Sequence, residues 1–546
     1  MTQEHVPVLI VGGGIVGLSA SLFLSEHGIR SLLVERHRGT SIHPRARGVN
    51  ARTMELYREL GIAEAVRAAG AELAPSMGIF KGRALFEVIE PRRRKEGKRK
   101  LPAAGLFQKL GPVAGARGTQ DKIEPVLLQA AREHGGDLRF YTELIEFAQD
   151  ETGVTATIRE RESGTLSTIR ADYLLAADGA SSPTRQMLGV STSGRGVLGH
   201  LLNILFQADL HELVRGREFS LCQIERPEVR GLFTSINNSD LWVFHLSYDP
   251  NLGEQAADFP AERCKELLHI ALGLPDIEIE IKSILPWQSA VRVADGFQHG
   301  RVFLAGDAAH QMPPWGGQGA NTGVADAHNL AWKLAAVLKG KAGPELLSTY
   351  DSERRPVGRL AAEESGAAAD EHGLISMKKS LTHIIGMVRR MPRLLGYGYE
   401  YTSQAIISAG SPAQGIVRQL LSGTLGLDGR PGTRAPHIWV QYQGQRISTL
   451  DLFGKNFVLL TGSAGADWLQ AAVAVREHLD VELDAYRIGP SGELLADQKQ
   501  WPARAGISEY GALLIRPDGF VAWRSREQPG NPQAALEQVL KQVLFR

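Results

Sequence analysis

Cysteine is scarce in this chain of 546 residues, which contains only Cys222 and Cys264. These two residues form no C-x-x-C pair, so the sequence argues against a zinc site, and we expect no bound metal. No cysteine follows residue 264, which excludes thiol–disulfide chemistry in the second half of the chain. So few cysteines also favour a reducing compartment.

Long apolar runs are also missing. No stretch reaches the ~18 residues that a membrane helix needs, and the early first strand predicts no signal peptide. The net charge is only +1, and the basic run at residues 92–100 contains no aromatic residue, so it predicts a solvated loop. We therefore expect a cytoplasmic protein with no membrane or nucleic-acid partner.

A glycine-rich turn follows the first predicted strand, Val8–Val11. Gly12, Gly14 and Gly17 form a G-x-G-x-x-G pattern that opens a helix, and the next strand ends at Glu35. Such glycines let the backbone approach a pyrophosphate at the helix N-terminus, and the acid accepts a hydrogen bond from a ribose hydroxyl. The pattern predicts a dinucleotide site that takes FAD or NAD.

Two further acidic motifs follow buried strands. Asp178 and Gly179 come after the apolar residues 173–177, and Asp307 comes after residues 301–305. A Gly/Pro-rich turn then leads into a helix whose first amides can hold negative charge. No second G-x-G-x-x-G follows a strand, so a separate pyridine-nucleotide domain is not expected. A W-x-W-x-I-P segment is also absent, which disfavours a flavin halogenase.

The three motifs, in this order, resemble those of the group A flavoprotein aromatic hydroxylases, the p-hydroxybenzoate hydroxylase superfamily. The resemblance covers roughly residues 1–370, and residues 44–55, 120–125 and 350–356 look like further segments of that family. It implies FAD as the cofactor, NADPH or NADH as a transient reductant and O₂ as cosubstrate. The sequence contains no clear attachment signal, so we expect the FAD to be non-covalent. It also implies oxygen transfer to an electron-rich ring from a flavin C4a-hydroperoxide.

The resemblance also implies a set of cofactor-binding residues: Gly12, Gly14, Gly17, Glu35, Arg36, Arg45, Gln120, Asp178, Gly179, Asp307, Gly319, Ala320 and Asn321. Arg45 and Arg47 are candidates for contacting flavin phosphates or the nicotinamide cofactor, or for a structural role. Pro314 and Trp315 would border the flavin on the substrate side. Pro314, Trp315 and Arg47 are thus the catalytic candidates, and no general base can be named from the sequence.

Residues 196–286 contain several strand-like runs rich in aromatic side chains. Together with Pro314 and Trp315, they predict a largely apolar pocket for a flat ligand. Any single aromatic residue here could equally be packed in the core. The candidate substrate contacts in this segment are Phe233, Trp242, Phe244, His245 and Tyr248.

The predicted fold is α/β with three domains. A Rossmann-like FAD-binding domain of the glutathione-reductase type comprises residues 1–75, 102–190 and 285–370. A β-sheet substrate domain, inserted into it, comprises residues 76–101 and 191–284. A helical connector (371–425) precedes a thioredoxin-like domain without redox cysteines (426–546), as in the polyketide and phenol hydroxylase branch.

The resemblance favours hydroxylation of a polycyclic aromatic polyketide or a related phenolic natural product. Hydroxylation of a simple phenol or a hydroxyphenylpropionate shares most of these signals, and so does Baeyer–Villiger-type oxygen insertion. A flavoprotein that only binds or reduces its ligand is a fourth possibility. The expected partner is a small aromatic substrate, and the protein is expected to be a monomer or a homodimer.

Overall fold

The computed structural model describes residues 4–45, 47–73, 78–89, 110–314, 317–370, 372–374, 392–408 and 427–546. Strands in these residues form three large sheets and one two-stranded ribbon. In chain order the strands are β1 Glu4–Val11, β2 Ser31–Glu35, β3 Gly48–Val49, β4 Ile79–Gly82, β5 Ala116–Arg117, β6 Asp137–Phe140, β7 Thr142–Gln149, β8 Val154–Glu160, β9 Leu166–Ala176, β10 Thr192–Gln207, β11 Leu221–Arg226, β12 Val229–Ser235, β13 Leu241–Tyr248, β14 Glu280–Ala294, β15 Gln298–His299, β16 Val302–Leu304, β17 His310–Gln311, β18 Trp439–Tyr442, β19 Gln445–Ser448, β20 Phe457–Thr461, β21 Leu483–Gly489, β22 Leu494–Leu495, β23 Ala512–Ile515 and β24 Val521–Ser525.

Helices cover or connect these sheets. The α-helices are α1 Ile15–Glu26, α2 Ala51–Glu59, α3 Ala63–Ala69, α4 Leu85–Ile89, α5 Gln120–Glu133, α6 Pro183–Met187, α7 His211–Val214, α8 Ala261–Leu272, α9 Gln318–Leu338, α10 Thr349–Ala367, α11 Ala466–Leu479, α12 Gln500–Ala505 and α13 Pro532–Leu544. Short 3₁₀ helices lie at Pro250–Leu252, Ala256–Asp258, Gly306–Ala308, Pro344–Ser348 and Thr449–Leu452. In this part of the chain, no helix is both long and apolar enough to span a bilayer.

The first sheet has the strand order β15-β16-β9-β1-β2-β6, and β7 and β8 extend it along the other end of β9. Strands β16, β9, β1, β2 and β6 run parallel. Their central residues are almost fully buried, as in a parallel sheet covered on both faces. Because parallel strands end at the same edge, all three motifs and the end of β2 meet there.

The second sheet has the order β17-β14-β10-β13-β12-β11-β4 and is antiparallel except for the β4–β11 pair. One face packs on α8 through a cluster of buried aromatic and aliphatic side chains. Strand β14 pairs with β10 as far as Ala294. The predicted domain boundary at residue 285 therefore falls inside a strand of this sheet.

The third sheet contains only residues from 439 onward and has the order β19-β18-β22-β21-β20-β23-β24. Strands β20 and β21 are parallel and connected by α11, while β23 and β24 form an antiparallel hairpin followed by α13. Most of the predicted helical connector, residues 371–425, lies outside the described residues.

Candidate active site

The glycine-rich turn between β1 and α1 is too tight for any side chain at two of its positions. A Cβ on Gly12, whose φ is +110°, would lie 2.3 Å from the Ala177 carbonyl oxygen. A Cβ on Gly17 would lie 1.9 Å from the Gly12 oxygen. Helix α1 starts after Gly14 with no side-chain cap. Its first amides are therefore available to an anion.

Glu35 ends β2 beside this turn, where the sequence predicts a ribose acceptor. Its Oε2 accepts a hydrogen bond from the Gly13 amide at 2.6 Å, and its Oε1 accepts one from the His37 amide at 2.8 Å. Arg36 follows on the exposed surface. The carboxylate is thus held next to the N-terminus of α1.

Gln120 begins α5 and is hydrogen-bonded to Glu124, which lies next to the same glycine-rich turn. Glu124 was not among the predicted site residues. The Gln120 Nε2 donates to Glu124 Oε1 at 2.6 Å, and the Ser41 amide donates to Glu124 Oε2 at 2.7 Å. Burial raises the pKa of Glu124, although these hydrogen bonds oppose the shift. Its Oε1 is 3.4 Å from the Cβ position of Gly14. The spacing of one helical turn between Gln120 and Glu124 is the sequence feature that could have identified Glu124 as a site residue.

Asp178 shapes its own loop. Its Oδ1 accepts from Ser182 Oγ at 2.5 Å, and its Oδ2 accepts from the Thr184 amide at 3.0 Å. Gly179 has a φ of +83°, in the left-handed region that favours glycine. The following Arg185 donates to the Ala308 carbonyl oxygen at 2.7 Å, so this loop is tied to the loop that carries Asp307.

Asp326, inside α9, fixes the loop that carries Asp307. Its Oδ2 accepts from the Gly306 amide at 3.1 Å and lies 2.7 Å from His310 Nε2. Its Oδ1 accepts from Arg354 Nε at 2.7 Å. Burial would raise the pKa of Asp326, but Arg354 and His310 hold it below its usual range. His310 therefore orients the loop from within the core.

Asp307 itself has an exposed surface. Nevertheless, desolvation by the surrounding protein raises its pKa, against the opposing charges of His310 and Arg45. Protein atoms therefore surround this carboxyl group although solvent reaches it, and we call the space in front of it the recess. The recess includes the start of α9, because Asp307 Oδ1 is 3.7 Å from the Cβ position of Gly319.

Helix α9 also begins without a side-chain cap, after Gly317 at a φ of +67°. The Asn321 side chain instead binds the preceding loops, donating to Gly317 O at 2.7 Å and Gly48 O at 3.1 Å. A Cβ on Gly323 would lie 2.5 Å from Val16 Cγ2, so α9 packs closely on the first turn of α1. The N-termini of the two helices are therefore close together, with the free amides of Gly319 and Ala320 near those of the first turn of α1.

The basic candidates lie on the segment after β2. Arg45 is exposed, and its carbonyl oxygen accepts from the Gln120 amide at 2.8 Å. Arg47 donates to the Ser220 carbonyl oxygen at 3.2 Å and so bridges to the second sheet. Burial and the nearby Arg117 lower the pKa of Arg47 to about 10. Pro314 is exposed before α9, whereas Trp315 lies outside the described residues.

Four of the predicted substrate contacts face α8 rather than the recess. Phe233, Trp242 and Phe244 are fully buried in the core cluster beneath that helix, and Trp242 Nε1 donates to the Ala208 carbonyl oxygen at 3.1 Å. Tyr248 packs on the same side against Phe259. This packing gives these aromatics a structural role. The side chains alternate along β13, so His245 lies on the opposite face.

These observations match the needs of FAD. Uncapped amides at α1 suit a pyrophosphate, and Glu35 suits a ribose. The recess with Asp307 and the start of α9 extends the site beyond a mononucleotide. In the described residues, no cluster of His, Cys, Asp or Glu could hold a metal ion. The fold and this recess define the class of dinucleotide-binding proteins.

Comparisons with known proteins agree with that class. A family model of the FAD binding domain matches residues 5–365, and one of the aromatic-ring hydroxylase C-terminal domain matches residues 428–546. The chain is 39% identical to tetracenomycin A2 monooxygenase-dioxygenase from Streptomyces glaucescens, covering 100% of this chain and 98% of that protein. It is 38% identical to 4-methyl-5-nitrocatechol 5-monooxygenase from a Burkholderia species, covering 99% and 98%.

A solved complex of aklavinone-11 hydroxylase with FAD and aklavinone superposes with a TM-score of 0.85, at 38% identity over 100% of both chains. The chain therefore belongs to the FAD-dependent aromatic-ring hydroxylases, and it has their mixed α/β fold with several sheets. This confirms the predicted family. Its cofactor is FAD, with NAD(P)H and O₂ as the reductant and cosubstrate expected for the family.

Proposed function

We propose that this enzyme hydroxylates a polycyclic aromatic polyketide. The full-length similarity to aklavinone-11 hydroxylase, solved with FAD and aklavinone, carries the proposal. The similarity to a tetracenomycin A2 enzyme over the whole chain supports it further. The face of the second sheet that carries His245 would form one wall of the substrate pocket.

We also propose roles for the residues of the recess. Amides at Gly14 and the first turn of α1 would hold the pyrophosphate, and Glu35 the adenosine ribose. Asp307 and the amides of Gly319 and Ala320 would lie on the flavin side, where the start of α9 stabilises negative charge. When bound, FAD accepts electrons from NAD(P)H and activates O₂. The remaining cofactor residues of this proposal are Gly12, Gly17, Arg36, Arg45, Gln120, Asp178, Gly179 and Asn321.

The domain assignment belongs to the same proposal. We infer a thioredoxin-like fold for residues 426–546. The strand order β21-β20-β23-β24 supports it, as do the position of α11 between the two parallel strands and that of α13 after the hairpin. Without cysteines, such a domain would serve packing or dimer formation. A cytoplasmic location and a monomeric or homodimeric state also remain predictions from the sequence.

A second candidate is hydroxylation of a simple phenol. The observation in its favour is the 38% identity to 4-methyl-5-nitrocatechol 5-monooxygenase, which is as high as that to aklavinone-11 hydroxylase. Overall identity therefore does not separate one-ring from polycyclic substrates, and the pocket itself must be probed.

The deciding experiment is anaerobic stopped-flow reduction of the FAD-loaded enzyme by NADPH and by NADH. The ligand panel contains phenols, hydroxyphenylpropionate, naphthoquinones and tetracyclic polyketides. We expect tetracyclic ligands to accelerate reduction most, and to gain one atom of ¹⁸O from ¹⁸O₂ in turnover. Acceleration by phenols alone would support the second candidate. Fast reduction without ligand, and no incorporated ¹⁸O, would contradict a hydroxylase function for every member of the panel.

A further inference from the structure

A polar cluster interrupts the face of the second sheet that points away from α8. Asn203 on β10 and His245 on β13 are direct cross-strand neighbours, and Asn203 Oδ1 lies 2.5 Å from His245 Nδ1. Trp287 on β14 donates its indole Nε1 to the same Oδ1. Thr234 Oγ1 on β12 lies 3.0 Å from His245 Nε2. Four adjacent strands therefore contribute one polar side chain each.

Trp287 determines the orientation of the whole cluster. An indole N–H can only donate, so the Asn203 atom that it contacts must be the amide oxygen. That oxygen can only accept from His245, so the Nδ1 of His245 is protonated. Its Nε2 then accepts from the Thr234 hydroxyl. Burial lowers the pKa of His245 to about 4, which keeps this tautomer neutral at neutral pH.

The Asn203 amide therefore has an unused donor of known orientation. Its Nδ2 makes no hydrogen bond in the described part of the chain and retains accessible surface. His43 lies near the Asn203 backbone; it is only 3% exposed, and its ring nitrogens have no hydrogen-bond partner of ordinary geometry among the described residues. Burial lowers the pKa of His43 to about 4, the Asn203 backbone opposes this shift, and the charge of His43 in turn helps to lower the pKa of His245.

This cluster adjoins the cofactor recess. His43 and Arg45 share the segment after β2: the Arg45 amide donates to the His43 carbonyl oxygen at 2.7 Å, and the Arg45 carbonyl oxygen accepts from the Gln120 amide at 2.8 Å. The charge of Arg45 also acts to lower the pKa of both His43 and Asp307. His245 and Trp287 both keep partly exposed surface, as residues at the wall of a recess do. The polar centre thus faces the space where the sheet and the cofactor site meet.

Apolar side chains lie on either side of the polar centre on the same sheet face. Leu205 and Val243 belong to one apolar cluster, and Leu201 and Leu232 to another. Both clusters are buried, the first with Leu73 and the second with Leu374, so the polar centre, where His245 and Trp287 are partly exposed, is the part of this face that a ligand can reach.

We propose that Asn203 determines substrate specificity by donating a hydrogen bond from Nδ2 to a carbonyl or phenolate oxygen of the aromatic ligand. His43 provides a second polar contact beside it. This inference rests on the proposed function, because it takes the ligand to be an oxygenated polycyclic aromatic. A ligand that supplies the acceptor satisfies a buried donor, whereas an unsubstituted hydrocarbon leaves that donor unsatisfied and is disfavoured.

The substitution Asn203→Asp separates this role from a structural one. The carboxylate can still accept from both Trp287 and His245, but it replaces the Nδ2 donor with an acceptor. Binding of 1,8-dihydroxyanthraquinone to the FAD-loaded enzyme is measured by isothermal titration calorimetry, with naphthalene as the ligand that carries no oxygen. We expect Asn203→Asp to weaken anthraquinone binding at least tenfold and to leave naphthalene binding within twofold.

Gln288→Glu is the matched control, since it adds the same charge at an exposed position next to Trp287 on β14. It should bind anthraquinone as the parent does, and FAD content and Tm verify that both variants are folded. Unchanged anthraquinone binding in Asn203→Asp would overturn the inference, as would an equal loss for naphthalene. If Asn203→Asp loses FAD, Asn203→Ala, which removes the donor without adding charge, must show the same ligand-selective loss. A parent enzyme that binds no polycyclic ligand would instead refute the proposed substrate class.

Discussion

Arg185 and Ala308 are joined by a hydrogen bond of 2.7 Å between the guanidinium Nη1 and the carbonyl oxygen, although 123 residues separate them in sequence. The Nη2 of the same guanidinium donates to the Ala180 carbonyl oxygen at 3.0 Å. One buried side chain therefore holds the loop of Asp178 against the loop of Asp307. The two acidic motifs therefore act as one unit of the recess.

Arg185→Lys should weaken FAD binding. A lysine ammonium cannot reproduce the planar fork that reaches two carbonyl oxygens, so the two loops lose their connection. We expect the dissociation constant of FAD to rise about tenfold, equivalent to ~1.4 kcal/mol, in a fluorescence titration of the apoprotein. Arg159→Lys is the control, because Arg159 pairs with Glu143 away from the site. Equal FAD affinity in both variants would show that the loops of Asp178 and Asp307 keep their positions without the two hydrogen bonds of the Arg185 guanidinium.

Gly17→Ala should abolish FAD binding, because its Cβ would lie 1.9 Å from the Gly12 carbonyl oxygen. The first turn of α1 would have to move away from β1, and the amides that suit the pyrophosphate would move with it. Gly39→Ala is the control, since its Cβ would meet nothing within 4 Å. Purified Gly17→Ala that retains stoichiometric flavin absorbance would refute this account of the turn.

Arg516→Met should destabilise the contact between the C-terminal sheet and α10. Arg516 binds Glu353 at 2.6 and 2.9 Å and Asp518 at 2.5 and 3.1 Å, and all three side chains are buried. Removing the cation leaves two buried carboxylates with too little positive charge, which costs about 3–5 kcal/mol. Urea unfolding of the FAD-loaded enzyme measures the loss.

The control for that measurement is Arg487→Met, which breaks a partly exposed pair with Glu493 in the same sheet. We expect it to lower the free energy of unfolding by less than about 1 kcal/mol. Similar losses of unfolding free energy for the two substitutions would mean that the buried ion pairs of Arg516 stabilise the protein no more than the partly exposed pair of Arg487.

His437→Asn should reduce the sensitivity of stability to acid. Burial and Arg434 lower the pKa of His437 to about 4, so between pH 6.5 and 4 the unfolded chain binds a proton that the folded chain does not. The contribution is complete above pH 6.5 and is lost as the pH falls. In the parent, His437 Nδ1 lies 2.7 Å from Ser448 Oγ. An asparagine side chain can still form a hydrogen bond with Ser448, but it does not titrate.

We expect the loss of unfolding free energy between pH 7 and pH 5 to be about 1–2 kcal/mol smaller in His437→Asn than in the parent. Urea midpoints at the two pH values give the comparison. Both proteins will still lose stability, because burial also lowers the pKa of His27, His43 and His245. An identical dependence of stability on pH in parent and variant would contradict a lowered pKa for His437.

Much of the cofactor site could be predicted because it depends on short local patterns. Gly17 is a glycine for a steric reason that acts within one turn, because its Cβ would meet the Gly12 oxygen. Glu35 is the last residue of the buried strand β2, and Asp307 lies three residues after the buried strand β16. Parallel strands end at one edge, so their order along the chain was enough to bring these residues together. Glu124 belongs to the matching segment 120–125 but was not among the predicted site residues, because its importance comes from contacts with Ser41 and Gln120 in the folded chain.

The substrate side was harder to predict, because a strand has two faces and an aromatic side chain suits either. Phe233, Trp242 and Phe244 looked like pocket residues, yet α8 covers their face of the sheet. Only the tertiary structure shows that His245 faces the other way, towards Asn203 and Trp287 from neighbouring strands.

By itself, the sequence determined the family, the cofactor and the positions where backbone must approach a nucleotide, because each depends on neighbours a few residues apart. The tertiary structure alone decided which face of the second sheet is buried and that Glu124 joins the other acids of the recess. It also decided how Arg185 and Asp326 connect the motifs. These features depend on side chains that lie a hundred or more residues apart in some cases, and no local pattern specifies which distant segments will pack together.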